Sequence, residues 1–112
     1  MQYVLMLCAD QAAPGSSDWE EAMAGCISWA VEMEARGVLL GGIGLRPSAD
    51  ATTVRVRDAG VLLGDGPFTD TKEQLDGFSV IECENLDEAI DIASQHPWAR
   101  VGLIEVRPVW AP

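Results

Sequence analysis

Between Gly64 and Phe78 the chain reads GDGPFTDTKEQLDGF, with three glycines, one proline and five charged residues. The stretch follows neither a strand nor a helix period. Asp65 and Asp70 flank a Gly66-Pro67 turn, with Lys72 and Glu73 just beyond. Proline fixes φ and glycine relaxes it, so such a turn can hold the Asp65 side chain outward. A carboxylate held near an ammonium is equipped to act as a general base. Asp65, Asp70 and Lys72 are therefore candidate catalytic residues. The same residues also suit a plain structural turn, in which Asp65 caps and Asp70 opens a single helical turn, DTKEQL.

His96 is the only histidine and the only side chain whose ordinary pKa lies near neutrality. It stands between a helix end and Pro97. There it can move a proton, with Asp65 or Glu105 brought to it by the fold, or simply meet the last helical carbonyls. Arg46, Arg55, Arg57 and Arg107 can each hold a carboxylate through a bidentate pair. Arg55 and Arg107, with Phe68 and Glu105, form the candidate substrate contacts. The competing role for these arginines is pairing with Glu82 and Glu105 across a sheet. One histidine, with no H-x-x-x-H or C-x-x-C spacing, leaves little from which to build a metal site. Gly41-Gly42-Ile43-Gly44 lacks the following helix and lysine of a phosphate loop, so no nucleotide or other cofactor is expected.

These residues need elements to place them. Tyr3–Cys8 is an apolar run that reads as a first strand. Ser17-Asp18-Trp19-Glu20 has the S-x-x-E form of a capping box. It opens a helix that ends at Gly37 and spans roughly 30 Å. Its apolar side carries Trp19, Ala22, Met23, Cys26, Ile27, Trp29, Ala30 and Met33. GVLLGGIGLRP reads as a strand whose glycines invite a bulge or close backbone approach. TTVRVRDAGVLL reads as a hairpin turning at Asp58-Ala59-Gly60. A further strand starts near Phe78. Asn85 caps a second helix with Leu86, Ala89, Ile90 and Ala93 inward. That helix stops near His96, because Pro97 disfavours helical geometry before it. Val101–Pro108 is the last strand, with Leu103, Glu105 and Arg107 on one face and Ile104 and Val106 on the other.

The order implies an α+β ferredoxin-like sandwich, a mainly antiparallel sheet with two helices on one face. The uncovered face needs a partner. Tyr3, Leu5, Leu39–Ile43, Val80 and Trp110 supply more apolar surface than one helix layer hides, so a symmetric homodimer joining two sheets is expected.

Composition narrows the function. The chain has 112 residues, the size of a single domain with its own core, and 48% of them are hydrophobic. Seven basic residues against eighteen acidic give a net charge of −11. That balance argues against nucleic acid or an anionic membrane as partner. No stretch approaches the roughly 20 apolar residues that span a bilayer, and MQYVLMLCAD lacks the basic segment of a signal peptide. Cys8, Cys26 and Cys83 are odd in number and widely spaced, as buried free thiols in a cytoplasmic, reducing compartment would be.

Taken together, Asp65-Gly66-Pro67-Phe68, GVLLGGIGLRPS, TTVRVRD, LDEAIDIASQHP and IEVRPV show that the chain resembles the YCII-related superfamily, and within it the DGPF-domain group. The resemblance implies a fold similar to the dimeric α+β barrels, which include muconolactone isomerase. It also implies kinship with proteins encoded beside sigma factors of the extracytoplasmic type. Among the broader relatives a His–Asp pair has been proposed as catalytic. Aligned on Gly37, those positions hold Cys26 and Ala35 here, so that mechanism does not carry over. Two expectations follow. One is cofactor-free, isomerase- or lyase-type proton transfer on a small organic acid in a pocket. The other is a non-catalytic dimeric interaction module, linked to sigma-factor regulation.

Overall fold

The computed structural model describes residues 1–10 and 17–111. Strand β1 (Gln2–Asp10) leads to helix α1 (Ser17–Ala35) and strand β2 (Leu39–Gly44). A short 3-10 turn at Ser48–Asp50 precedes β3 (Thr52–Arg57) and β4 (Gly60–Asp65). Strand β5 (Glu73–Glu82), helix α2 (Leu86–Ser94), the single-turn helix α3 (Trp98–Val101) and strand β6 (Leu103–Pro108) complete the order. The main sheet runs β2-β5-β1-β6, antiparallel throughout, while β3 and β4 form a separate two-stranded ribbon. With that ribbon set aside, this is the ferredoxin-like strand order. The capping pair expected at Ser17 falls outside the described side chains.

Cross-strand register decides which residues meet the helices. Tyr3, Leu5 and Leu7 pair with Ile81, Ser79 and Gly77 on one side, and with Pro108, Val106 and Ile104 on the other. Residues directly opposite share a face. This face is covered by Trp29 and Met33 of α1 and by Ala89, Ile92 and Ala93 of α2. A second cluster gathers Ala9, Ala22 and Trp98.

Register also corrects three expectations. Tyr3 and Leu5 belong to this covered core; the uncovered face instead presents Val4, Met6, Phe78 and Val80. Ile27, expected inward on α1, is 70% exposed. On α2, Leu86 and Ile90 face outward and Ile92 takes the buried place. The helix itself is capped as expected, with the Glu88 N–H donating to Asn85 Oδ1 at 3.0 Å.

Two local structures follow from backbone chemistry. The β3–β4 turn has two residues, Asp58 and Ala59, both left-handed at φ 50 and 62, and Gly60 already belongs to β4. That is the primed geometry matching the right-handed twist of a hairpin. The segment DTKEQL contains no helical turn. Strand β5 begins at Glu73, five residues before Phe78, because Ala9 and Asp10 extend the ladder to Gln74 and Glu73.

Candidate functional site

Regular pairing of β1 with β5 breaks at one place. Leu7 lies opposite Gly77 and Cys8 opposite Leu75, which leaves Asp76 as the extra residue of a β-bulge. A bulge bends its strand and re-aims the unmatched side chain. Asp76 lines a cavity of about 420 Å³ between the β2–β5 half of the sheet and α1, with His96 and Trp98 at its helical end, and its Oδ2 is fully buried. That volume is of the size that holds small organic ligands.

The sheet side of the cavity is built from missing side chains. Gly42 pairs with Ser79, and Gly44 with Gly77. The strands approach so closely that a Cβ at Gly42 would lie 2.8 Å from the Phe78 carbonyl oxygen, and one at Gly77 2.6 Å from that of Ile43. Gly44 differs, because a Cβ there would meet nothing within 4 Å. The glycines of β2 thus have a physical role, and the expected bulge occurs where Leu40 falls out of register between Leu39 and Gly41.

Aromatic residues form the helix side. Trp19 and Trp29 come from α1, ten residues apart on its inner face, and Trp98 from α3. Trp19 and Trp98 meet edge-on with ring centroids 4.6 Å apart. The Trp29 indole N–H donates to the Ile92 carbonyl at 3.3 Å. The Trp98 indole N–H is buried and has no hydrogen-bond partner among the described residues, an arrangement that costs stability unless another acceptor meets it.

His96 stands at the corner where α2 gives way to α3. It is 3% exposed, and its ring packs on Trp29 with centroids 4.5 Å apart. The Trp98 backbone N–H donates to His96 Nδ1 at 3.0 Å. Burial pushes the His96 pKa from 6.5 down to about 4, so the ring is neutral at physiological pH. With Nδ1 accepting, the single ring proton resides on Nε2, making His96 a hydrogen-bond donor there. Gly25 seats this corner against α1, since a Cβ at Gly25 would lie 2.7 Å from Pro97 Cγ.

Of the residues singled out from sequence, His96 lines the cavity; the others do not. Asp65, Asp70 and Arg55 are exposed, and Phe68 is 79% exposed. Lys72 lies 3.7 Å from the Asp10 carboxylate. Glu105 and Arg107 pair with each other along β6, on the face away from the helices. The GPF segment acts as a braced corner: Gly66 N–H donates to the Ala51 carbonyl at 2.7 Å, and the Thr53 hydroxyl to the Gly66 carbonyl at 2.9 Å. The Gln74 amide then holds the carbonyls of Thr69 and Thr71 at 2.9 and 2.7 Å.

The cavity residues missed in the sequence are Asp76, Ser79 and the three tryptophans. The available signal was Gly77 inside the strand-like run LDGF, since an isolated glycine in a strand suggests a bulge. Cys26 also lines the cavity. Burial raises the pKa of Cys8, Cys26 and Cys83, so each remains a thiol. Among the described residues, no three of His, Cys, Asp or Glu gather as metal ligands, and no helix is long and apolar enough to cross a membrane.

Comparison with known proteins agrees with this architecture. The chain is 45% identical over 67 residues to an uncharacterized protein of Rhizobium meliloti (strain 1021). That match covers 58% of the chain and 54% of the relative, so the chain spans about half the length of the protein it matches. A solved structure with the same fold is 5-chloro-2-hydroxyhydroquinone dehydrochlorinase (TftG) from Burkholderia phenoliruptrix AC1100, in complex with 2,5-dihydroxybenzoquinone. The TM-score is 0.56 at 19% identity, over 100% of this chain and 96% of that one. The YCII-related domain model matches residues 1–111, and the chain belongs to that family.

Proposed function

We propose that the cavity binds a small cyclic molecule carrying hydroxyl and carbonyl oxygens, and that Asp76 moves a proton on it without a cofactor. The observation that carries this reading is the convergence of a bulge-borne carboxylate and a neutral imidazole on one aromatic-walled cavity. Asp76 takes a proton from a ring hydroxyl or an acidic C–H, and the electron pair moves toward a ring oxygen. The Nε2–H of His96 and the indole N–H of Trp98 stabilise the charge that develops there. Return of the proton to another ring atom makes an isomer; departure of an anion from a neighbouring carbon makes an elimination. The dehydrochlorinase named above belongs by name to the second kind.

The lining includes Asp76 and, among the described residues, neither Arg nor Lys. This favours hydroxyl-bearing rings over the carboxylate ligand expected from the arginines. The tryptophans offer flat faces and edges to such rings. The same reading takes the chain as a symmetric homodimer through the uncovered sheet face of Val4, Met6, Phe78 and Val80.

Thermal-shift titration with dihydroxybenzoquinone and with chlorinated and plain hydroxyhydroquinones tests the proposal, together with absorbance assays of turnover. Saturable stabilisation by at least one of these compounds is expected. Gly44→Leu places a side chain in the cavity and abolishes the shift while leaving the unliganded protein folded. Asp76→Asn keeps binding but slows turnover by roughly 10²–10⁴-fold. Absence of binding across the whole set, or undiminished binding by Gly44→Leu, overturns the proposal.

A further inference from the structure

The β3–β4 ribbon is an arm with no sheet to belong to. Among the described residues its strands pair only with each other, and an isolated two-stranded hairpin is at best marginally stable in water. Its two faces differ sharply. Val54 pairs with Leu63 and Val56 with Val61, so four apolar side chains share one face, each 58–70% exposed. Thr53, Arg55, Arg57 and Leu62 share the other.

Charge distinguishes the arm as well. In a chain of net charge −11 with seven basic residues, two of the seven lie on this ribbon. Neither Arg55 nor Arg57 has a carboxylate within 4 Å among the described residues, whereas Arg46 and Arg107 do. With Asp58 and Asp65 counted the arm is neutral overall, so the rest of the chain carries the whole net charge of −11, and the two arginines stand without an ion-pair partner among the described residues, beside an apolar face.

We infer that the arm is a clasp that closes on a second copy of this chain, its apolar face on the partner's apolar surface and its arginines on the partner's acidic surface. In a two-fold dimer each arm reaches the other protomer, so the contact is made twice. Val54, Val56, Val61 and Leu63 give the arm an exposed apolar patch, the kind of surface that marks an interaction site. The inference rests on the homodimer part of the functional reading and adds to it the element that closes the dimer.

Sedimentation equilibrium of the full chain tests it, with far-UV circular dichroism as the check on folding. The wild type is expected at twice its 12.0 kDa mass. The double variant Val56→Lys, Leu63→Lys alters side chains already exposed in the protomer, so it keeps the wild-type spectrum and weakens dimerisation by about 100-fold or more. Arg55→Glu with Arg57→Glu weakens it too, and less so at high salt. Val31→Lys, on the exposed side of α1, leaves the dimer intact. A monomeric wild type overturns both the clasp and the dimer. A dimer untouched by the arm variants but broken by Val80→Lys overturns the clasp and leaves the sheet-face dimer standing. A dimer broken by Val31→Lys alone places the contact on the helix side and overturns the clasp. Hydroxyquinone binding measured on the same samples keeps the fate of the cavity proposal separate.

Discussion

Acidification should unfold this protein partly through one buried ring. His96 is held neutral, with its pKa pushed from 6.5 to about 4 by burial. In the unfolded chain it titrates near its ordinary value, so between those two pH values the unfolded state binds one more proton than the native state. Stability therefore rises with pH across that window. The contribution is fully present above about pH 6.5, declines as pH falls towards about 4, and is not lost further below that. At about 1.36 kcal/mol per pH unit, the gap amounts to about 3 kcal/mol. That is a large share of the 5–15 kcal/mol typical of a domain, and lowers Tm by roughly 10 °C or more. Carboxylates titrate in the same range, so the measurement is a difference against His96→Asn. The asparagine amide oxygen keeps an acceptor for the Trp98 N–H without an ionisable group. Urea unfolding of both proteins at pH 7 and pH 4.5 should show the wild type losing most of that 3 kcal/mol relative to the variant. Parallel losses, or an NMR titration of the imidazole centred near 6.5, would refute the reasoning.

Three further outcomes follow from local geometry. Ala59→Gly relieves a left-handed alanine at φ 62 and should stabilise the protein by about 1 kcal/mol in urea unfolding. Gly102→Ala would set a Cβ 2.0 Å from the Cys8 carbonyl oxygen and should cost roughly 3 kcal/mol, read as a fall in Tm. The thiols should react with a disulfide reagent at pH 7.5 more slowly than a small free thiol. At Cys8, burial and then the negative charges of Asp76, Glu105 and Glu73 oppose ionisation, so its reaction should accelerate as pH rises above 9.

Much of this fold is legible locally. The cap at Asn85, the hairpin alternation of Val54-Arg55-Val56-Arg57 and the alternating faces of β6 are properties of neighbouring residues, and the structure keeps them. The faces of β1 are not, because Tyr3–Cys8 is apolar at every position and either half could meet the helices. Pairing with β5 and β6 decides that, through contacts 67 to 105 residues away. The inner face of α2 was obscured in the same way, since Leu86, Ile90 and Ile92 nearly encircle a short helix. At the site, a lone histidine is conspicuous in any sequence. Asp76 is not, because it is one of several acids in a crowded segment, and only the ladder to β1 shows which residue is left unmatched.

The bulge has an implication for how chemistry can change on this scaffold. Sheet register has a period of two, so most strand positions are committed: a new side chain must suit both its face and its cross-strand neighbour. Position 76 has no neighbour on β1 to suit. Leu75 and Gly77 keep the flanking ladder in step, so a change of residue between them leaves the cross-strand pairs on either side matched. The fold therefore holds one cavity-lining position of β5 at which Glu, His or Cys would break no cross-strand pair with β1.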